Sequence, residues 1–344
     1  MKIGICGHFG GKKVFLDGQT VKTKNVYEAI CDHYGKSNIK IIDTYKVKFR
    51  LPIILFSVFG AFVSCDSVIM LPAHNGIKIF SPLFSFLKEV FHKKIYYCVI
   101  GGWLPSFLSD KPRLSDDLKC FDGIFVETNT MKAALCDTGF DNVFVLPNFK
   151  KLQIVDSASI SVDSAAPFKL CTFSRVMKEK GIEDAVQAVK KANEQLGTLA
   201  YSLDIYGQVD SVYQETFEQM VGEFPSYIQY KGCVSFNEST KVLSTYYALL
   251  FPTYYSGEGF AGTLLDSYAS ALPVIASDWK YNPEIVSEDV GFLFPVGNVD
   301  ALCGILVDIY RNGYDIKEMK QSCIAKAHQY SFDNAIKILS SIIG

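Results

Sequence analysis

The sequence lacks the residue patterns of several common kinds of site. Its 10 cysteines include no Cys-x-x-Cys pair and no histidine at ligand spacing, which argues against a zinc site or a disulfide framework. No Asp-x-Asp occurs, so no carboxylate pair for a bound cation is evident and we expect no metal. A net charge of -2 argues against nucleic acid as a partner, because phosphate neutralisation needs clustered positive charge.

No secretory signal is visible in the sequence, and we expect no apolar run of bilayer-spanning length. Met1 and Lys2 lead directly into a strand-like segment, so we expect a cytoplasmic protein with reduced thiols. The longest apolar run, 51–65, has about 15 residues, fewer than the roughly 20 that cross a bilayer. Lys46, Lys48 and Arg50 precede it. Two interpretations remain: a buried helix, or a surface helix that enters a membrane interface.

What the chain does contain is apolar residues in regular alternation. Its 344 residues are 49% hydrophobic, which indicates a globular protein of two domains. Short apolar runs alternate with helix-length amphipathic segments, a pattern typical of parallel sheets covered on both faces. We predict an α/β fold of two tandem Rossmann-like, doubly wound domains that face a cleft, at 1–155 and 165–330. The segment 331–344 is an amphipathic helix that in such a fold often crosses back to the first domain.

Charge is shared unevenly between the halves. Residues 1–150 hold 19 Lys and Arg against 13 Asp and Glu, whereas the remainder holds 15 against 23. A basic half favours an anionic surface such as a membrane or a phosphorylated ligand, although ordinary surface decoration gives the same count.

Ligands of open parallel sheets bind beyond the carboxyl ends of the strands, so the segments that follow strands are the candidate sites. In the first domain, a glycine-containing turn leads to Gly18 and Gln19 at the start of a helix, without the spacing of a dinucleotide fingerprint or a P-loop. In the second, Arg175 and Lys180 follow the first strand, where two cations could neutralise a diphosphate. A basic turn that faces solvent and binds no ligand would have the same sequence pattern.

A later segment is more specific. After the apolar strand 248–251, Gly257, Gly259 and Gly262 surround Glu258, and Asp266 follows eight residues later. A carboxylate beside small residues that open a helix offers an acceptor for sugar hydroxyls next to backbone N–H groups directed at an anion.

At these residues the sequence resembles the retaining glycosyltransferases of the GT-B fold, family 4, group 1 type. The family's paired acidic residues correspond to Glu258 and Asp266, its Arg/Lys pair to Arg175 and Lys180, and its glycine strand end to Gly207. The resemblance covers nearly the whole second domain.

The resemblance implies a role for each matching position. Arg175 and Lys180 would hold the donor diphosphate, and Glu258 would bind the donor sugar as a catalytic residue. Asp266 would contact the ribose, and the backbone near Val234 would frame the nucleobase. The remaining donor-binding positions would contribute mainly backbone groups: Gly207, Gly259, Phe260, Ala261 and Gly262 in the second domain, and Gly18 and Gln19 in the first.

Two positions depart from the family pattern. Asp266 is one methylene shorter than the usual glutamate. Relatives often carry a histidine near the reacting carbon, where this chain has Gly101 and Gly102. His74, at the end of the preceding strand, either replaces it as a catalytic residue or is an ordinary loop histidine.

The implied activity is metal-independent, retaining transfer of a sugar from a nucleotide-diphosphate donor, UDP favoured over GDP, to a hydroxyl of a glycan. We expect no cofactor. Acceptors in this family are often lipid-linked, which would suit peripheral contact with the inner face of the cell membrane. The alternatives are a nucleotide-sugar epimerase or hydrolase on the same fold, and a catalytically silent nucleotide-sugar-binding subunit.

Overall fold

The computed structural model describes residues 1–11, 18–160, 165–235, 238–314 and 316–344. They form two compact units. Unit 1 comprises Met1–Lys151 with Tyr330–Gly344, and unit 2 comprises Leu152–Gln329. The change from one unit to the other falls between Lys151 and Leu152.

In the described residues of unit 1, six strands and six α-helices precede unit 2. The strands are β1 Ile3–Gly7, β2 Ile39–Asp43, β3 Ser67–Met70, β4 Lys94–Cys98, β5 Gly123–Val126 and β6 Val143–Val145. The helices are α1 Gly18–Tyr34, α2 Val47–Ser64, α3 His74–Phe91, α4 Leu104–Leu108, α5 Pro112–Lys119 and α6 Asn129–Cys136. The strands pair in parallel in the order β2-β1-β3-β4-β5-β6.

Unit 2 repeats the alternation. Its strands are β7 Phe168–Phe173, β8 Tyr201–Tyr206, β9 Ile228–Gly232, β10 Ala248–Phe251, β11 Val274–Ser277 and β12 Gly291–Phe294. Its helices are α7 Ile182–Leu196, α8 Gln214–Gly222, α9 Ser239–Leu243, α10 Gly262–Ala269, α11 Asn282–Ile285, α12 Val299–Asn312 and α13 Ile316–Gln329. The strands are again parallel, in the order β12-β11-β10-β7-β8-β9.

The predicted fold class of two doubly wound parallel sheets is confirmed. The central strands are buried on both faces, as their unbroken apolar sequences require. Each sheet reverses its strand order once, between β1 and β3 in unit 1 and between β7 and β10 in unit 2. Ligands of such sheets bind at the carboxyl ends of the strands on either side of this reversal.

The last helix, α14 Phe332–Ile343, packs on the core of unit 1. Ala335, Leu339 and Ile343 are buried there, and the Tyr96 hydroxyl donates a hydrogen bond to the carbonyl of Ile342 at 3.1 Å. The Ser331 hydroxyl caps the helix by accepting from a backbone N–H.

Two helices of unit 1 differ from their sequence-based predictions. The Ser81-Pro82 pair predicts a helix start, but α3 begins at His74 and Ser81 lies buried inside it. Pro82 is tolerated in the helix interior because it occupies the exposed face, where water can satisfy the backbone carbonyl it deprives of a partner. For the run 51–65, the interpretation as a buried helix is wrong, since much of the α2 surface is exposed.

Candidate functional site

The candidate site of unit 2 lies where its strand order reverses. β7 and β10 are neighbours, and the segments that follow them, 174–181 and 252–262, meet at the carboxyl edge of the sheet. The backbone N–H of Tyr254 donates to the carbonyl of Glu179 at 2.8 Å, which fastens one segment to the other.

A buried ion pair joins these two segments. The Lys180 ammonium donates to Oε2 of Glu258, and the side chains are only 12% and 9% exposed. The Thr253 hydroxyl, fully buried, lies 2.9 Å from the same carboxylate oxygen. Lys180 also lies over the ring of Tyr255, 5.1 Å from its centroid. A buried charge is tolerated only when it is paired and hydrogen-bonded, so these contacts explain how both ions persist here.

Close backbone packing fixes the position of Lys180. Gly181 follows it with φ of 69°, and a Cβ at that position would lie 2.1 Å from the carbonyl oxygen of Pro252. Only glycine satisfies both the left-handed backbone and the contact. The lysine is therefore held against the loop that carries Glu258.

The same loop ends at the N-terminus of α10. Gly259 and Phe260 are buried, Ala261 is extended, and the helix starts at Gly262. The Thr263 hydroxyl donates to the carbonyl of Phe173 at 2.6 Å, which ties the first turn of α10 to the end of β7. The partial positive charge of a helix N-terminus thus lies at the edge of the sheet that carries Lys180.

Arg175 has a different environment from Lys180, although both follow β7. Its side chain is 54% exposed, and its guanidinium lies 3.8 Å from a carboxylate oxygen of Asp210. Gly207, at the end of β8, packs so closely that a Cβ would meet the Ser174 carbonyl oxygen at 1.7 Å. The ends of β7 and β8 therefore approach each other with no room for a side chain.

Asp266 lies on α10, half-buried, and the Ser239 hydroxyl is 3.5 Å from its carboxylate. Val234 is half-buried after β9. The structure thus distributes the candidate donor-binding residues of unit 2 over segments that follow β7, β8, β9 and β10, all strands of one parallel sheet.

Sequence analysis did not identify two residues of this site. Thr253 lies two residues after the end of β10, a position that could have singled it out. Lys280 follows β11, and its ammonium donates to the carbonyl of Ser256. This contact supports the loop that carries Glu258 from β11, the strand next to β10. Burial lowers the pKa of Lys280, while Glu258 opposes this shift. No sequence motif marks Lys280.

The remaining sequence-predicted residues belong to unit 1. Gly18 and Gln19 begin α1, after β1, and His74 begins α3, after β3. His74 stacks on Trp103, with ring centroids 3.9 Å apart and an interplanar angle of 27°. Burial, and secondarily the nearby Lys78 ammonium, lowers its pKa, so the ring is neutral near pH 7. These residues follow the two strands at which the unit 1 sheet reverses its order.

Among the described residues, no group of three or more His, Cys, Asp or Glu side chains has an arrangement that could hold a metal ion.

Comparison with known proteins finds a family model and curated relatives that match unit 2. Residues 167–312 match the family model described as Glycosyl transferases group 1. The UDP-N-acetylglucosamine--peptide N-acetylglucosaminyltransferase GtfA subunit of Streptococcus pneumoniae is 37% identical over 145 residues, which cover 41% of this chain and 27% of that protein. The amylovoran biosynthesis glycosyltransferase AmsK of Erwinia amylovora is 24% identical over 165 residues, 46% of this chain and 40% of AmsK. The chain spans less than half the length of these curated relatives.

Solved structures resemble the chain over more of its length. Anabaena Alr3699/HepE in complex with UDP has a TM-score of 0.76 at 14% identity, and the match covers 99% of each chain. The pneumococcal O-GlcNAc transferase GtfA in complex with UDP and GlcNAc has a TM-score of 0.63 at 19% identity, covering 84% of this chain and 59% of that one. These likenesses show the fold, which is that of the GT-B glycosyltransferases.

Proposed function

We propose that this protein transfers a sugar from a UDP-sugar to a hydroxyl of a glycan acceptor. The chain has the GT-B fold, and its second domain matches the group 1 glycosyl transferases. The observation that carries the proposal is the buried contact of Lys180 with Glu258 at the strand reversal of unit 2. It places a cation and a carboxylate beside a helix N-terminus, which suits the diphosphate and the hydroxyls of one donor. The matches to glycosyltransferases and to UDP complexes agree with this choice.

In the proposed reaction, unit 2 holds the donor. An ammonium has three N–H donors, so Lys180 can contact Glu258 and a phosphate oxygen together. Arg175, exposed at the end of the same strand, adds a second positive charge. These cations and the N-terminus of α10 stabilise the negative charge that develops on the departing diphosphate. Leaving-group stabilisation of this kind needs no bound metal, and we propose a metal-independent reaction that uses no cofactor.

We further propose that the reaction retains the anomeric configuration, as the family 4 resemblance implies. The bond from the anomeric carbon to the β-phosphate oxygen breaks, and the acceptor oxygen bonds to the same face of that carbon. The acceptor proton passes to the departing phosphate. Glu258 orients the donor sugar, Asp266 contacts the ribose, and the backbone near Val234 frames the uracil.

The acceptor side of the proposal rests on unit 1. We propose that His74, which follows β3, contributes to the reaction as a catalytic residue. Gly18 and Gln19, which follow β1, are proposed as donor-binding positions, as the resemblance implies. We also propose a lipid-linked acceptor met at the cytoplasmic face of a membrane. The excess of basic residues in 1–150 supports this, and the 10 cysteines, all free thiols, agree with a reducing compartment.

Ligand-dependent unfolding tests donor binding. At a concentration of 100 Kd, UDP should stabilise the protein by about 2.7 kcal/mol. This should raise the Tm of unit 2 by roughly 5–10 °C, more than GDP or ADP at equal concentration. Lys180→Met should reduce the UDP shift, whereas Lys317→Met, an exposed lysine of α13, should leave it unchanged. Equal UDP shifts in wild type and Lys180→Met would contradict the proposed site.

Consumption of the donor separates transfer from other chemistry. UDP-glucose and UDP-N-acetylglucosamine serve as probes, and release of UDP is measured with and without glycan acceptors. We expect release to depend on an acceptor and to collapse in Glu258→Ala. Rapid release without an acceptor would instead identify a hydrolase.

A further inference from the structure

The helix α2 exposes an unusually apolar face. Phe49 is 86% exposed, Phe56 80%, Ile53 59% and Val63 56%. These positions recur at the spacing of one helical stripe, with Phe56 seven residues after Phe49 and Val63 seven residues after Phe56. Exposed aromatic side chains at such density mark a surface that meets another phase or another molecule.

A second helix extends this surface. α3 lies beside α2, with the Phe59 and Phe91 rings 5.3 Å apart in an edge-to-face contact. α3 exposes Phe86 at 62% and Val90 at 53%. We call the exposed faces of these two helices the α2/α3 surface. The two helices are in contact, and each exposes apolar side chains.

The opposite stripe of α2 is part of the core of unit 1. Ile54, Val58, Ala61 and Phe62 are at most 2% exposed. α2 is the one helix of the described residues whose length and hydropathy reach those of a membrane span, but a helix packed on its own domain along one face cannot cross a bilayer without unfolding that packing. The arrangement is that of a helix that lies in an interface.

The charge around the α2/α3 surface identifies the chemistry of the other phase. α2 contains no acidic residue, and α3 contains one, the exposed Glu89 near its C-terminal end. Lys46 and Lys48 are exposed at its N-terminal end, and Lys78 is exposed at the N-terminal end of α3. Both helix starts follow the carboxyl ends of strands, so this basic end lies at the edge of the sheet that carries His74. The positive charge and the apolar stripe are therefore adjacent on one surface.

We infer that the α2/α3 surface docks on a bilayer that contains anionic lipids. The phenylalanines enter the boundary between headgroups and acyl chains, and the lysines bind the lipid phosphates. The alternative occupant, a second copy of this chain, fits less well. It would place the lysines of one α2/α3 surface near those of the other, and protein interfaces are depleted in lysine. This inference rests on the proposed function. Docking would bring the edge of the unit 1 sheet that carries His74 close to a lipid-linked glycan.

Vesicle sedimentation with the full chain tests this inference. Vesicles of phosphatidylcholine with phosphatidylglycerol are compared with phosphatidylcholine alone. We expect binding to the anionic vesicles, weakened by salt. Phe49→Ser should weaken binding about tenfold, and Phe56→Ser similarly. Lys48→Gln should weaken it about fivefold at low salt. Because these side chains are exposed, the variants should keep the Tm of wild type.

Matched controls lie in unit 2. Val212, 93% exposed, is replaced by serine, and the exposed Lys241 by glutamine. Neither change should affect vesicle binding. The inference is overturned if wild type stays in the supernatant with anionic vesicles, or if Val212→Ser weakens binding as much as Phe56→Ser. A dimer that Phe56→Ser dissociates, without vesicle binding, would assign the surface to a second copy and likewise overturn it.

The proposed function is tested separately from membrane docking. UDP-induced stabilisation is measured on the same Phe56→Ser variant, and we expect the wild-type shift. Glu258→Gln should in turn bind anionic vesicles as wild type does. If the wild-type protein binds UDP but not anionic vesicles, only the docking inference is overturned. If it binds the vesicles but not UDP, only the proposed donor site is overturned.

Discussion

The buried pair of Lys180 and Glu258 makes a quantitative prediction. Lys180→Met removes the cation and leaves a carboxylate that is 9% exposed, with the Thr253 hydroxyl as a hydrogen-bond donor. Breaking a buried pair from one side costs about 3–5 kcal/mol, because one charge remains desolvated. For a domain the size of unit 2, about 3 kcal/mol lowers Tm by roughly 6–12 °C.

The double variant isolates the interaction. Glu258→Gln keeps an oxygen that can accept from Thr253 but removes the charge, so it should destabilise unit 2 by leaving the lysine unpaired. Lys180→Met combined with Glu258→Gln leaves no buried charge at the pair. We expect its destabilisation to fall short of the sum of the single variants by about 1–3 kcal/mol.

Calorimetry and urea unfolding of wild type, the two single variants and the double variant measure the coupling energy between Lys180 and Glu258. Lys317→Met, at an exposed position, is the control for loss of a lysine. Additivity within about 0.5 kcal/mol would refute the reasoning, since residues that do not interact behave in that way. A Lys180→Met variant as stable as wild type would refute it directly.

Two further predictions concern backbone geometry and protonation. Gly181→Ala should destabilise unit 2 in urea unfolding by about 2 kcal/mol more than Gly197→Ala. Both glycines have a left-handed backbone, which costs another residue about 1–2 kcal/mol, but only at Gly181 would the new Cβ meet a carbonyl oxygen. Equal losses of stability would contradict the proposed contact. An NMR titration of His74 should show a pKa below about 6.5 that rises in Lys78→Gln and not in Lys241→Gln. Because folding lowers this pKa, the stabilisation linked to the neutral ring is complete above about pH 6.5 and is lost as pH falls toward the folded-state pKa; an unchanged titration in Lys78→Gln would contradict the electrostatic contribution.

Local sequence predicts the strands well because their apolar runs end at polar or turn-forming residues. The apolar runs 39–43 and 201–206, for example, predict strands, and these bounds coincide with those of β2 and β8. Helix bounds are predicted less well where two signals conflict. Ser81 and Pro82 form a good start signal, but the burial of α3 against the sheet extends the helix by two turns before them.

The exposure of α2 could not be predicted, because a helix that is apolar on all sides does not indicate which face packs on the protein. In the run 51–65, both stripes are apolar. Only the tertiary structure separates Ile54, which is buried, from Phe56, which is exposed.

The components of the candidate site were predictable, but the contact within it was not. Lys180 and Glu258 each follow an apolar strand, which is a local signal. Their contact spans 78 positions of the chain and depends on β7 and β10 being neighbours in the sheet. Lys280 has no local signal at all, since its role arises from the adjacent strand β11.

The membership of α14 in unit 1 has a consequence for synthesis of the chain. Unit 1 is assembled from Met1–Lys151 and Tyr330–Gly344, with the whole of unit 2 between them. During translation, the core residues that α14 covers must therefore wait for the ribosome to finish unit 2. Unit 2, whose sequence is continuous, can complete its folding first, although it is encoded second. We expect the emerging N-terminal half to depend on chaperones until the last helix leaves the ribosome.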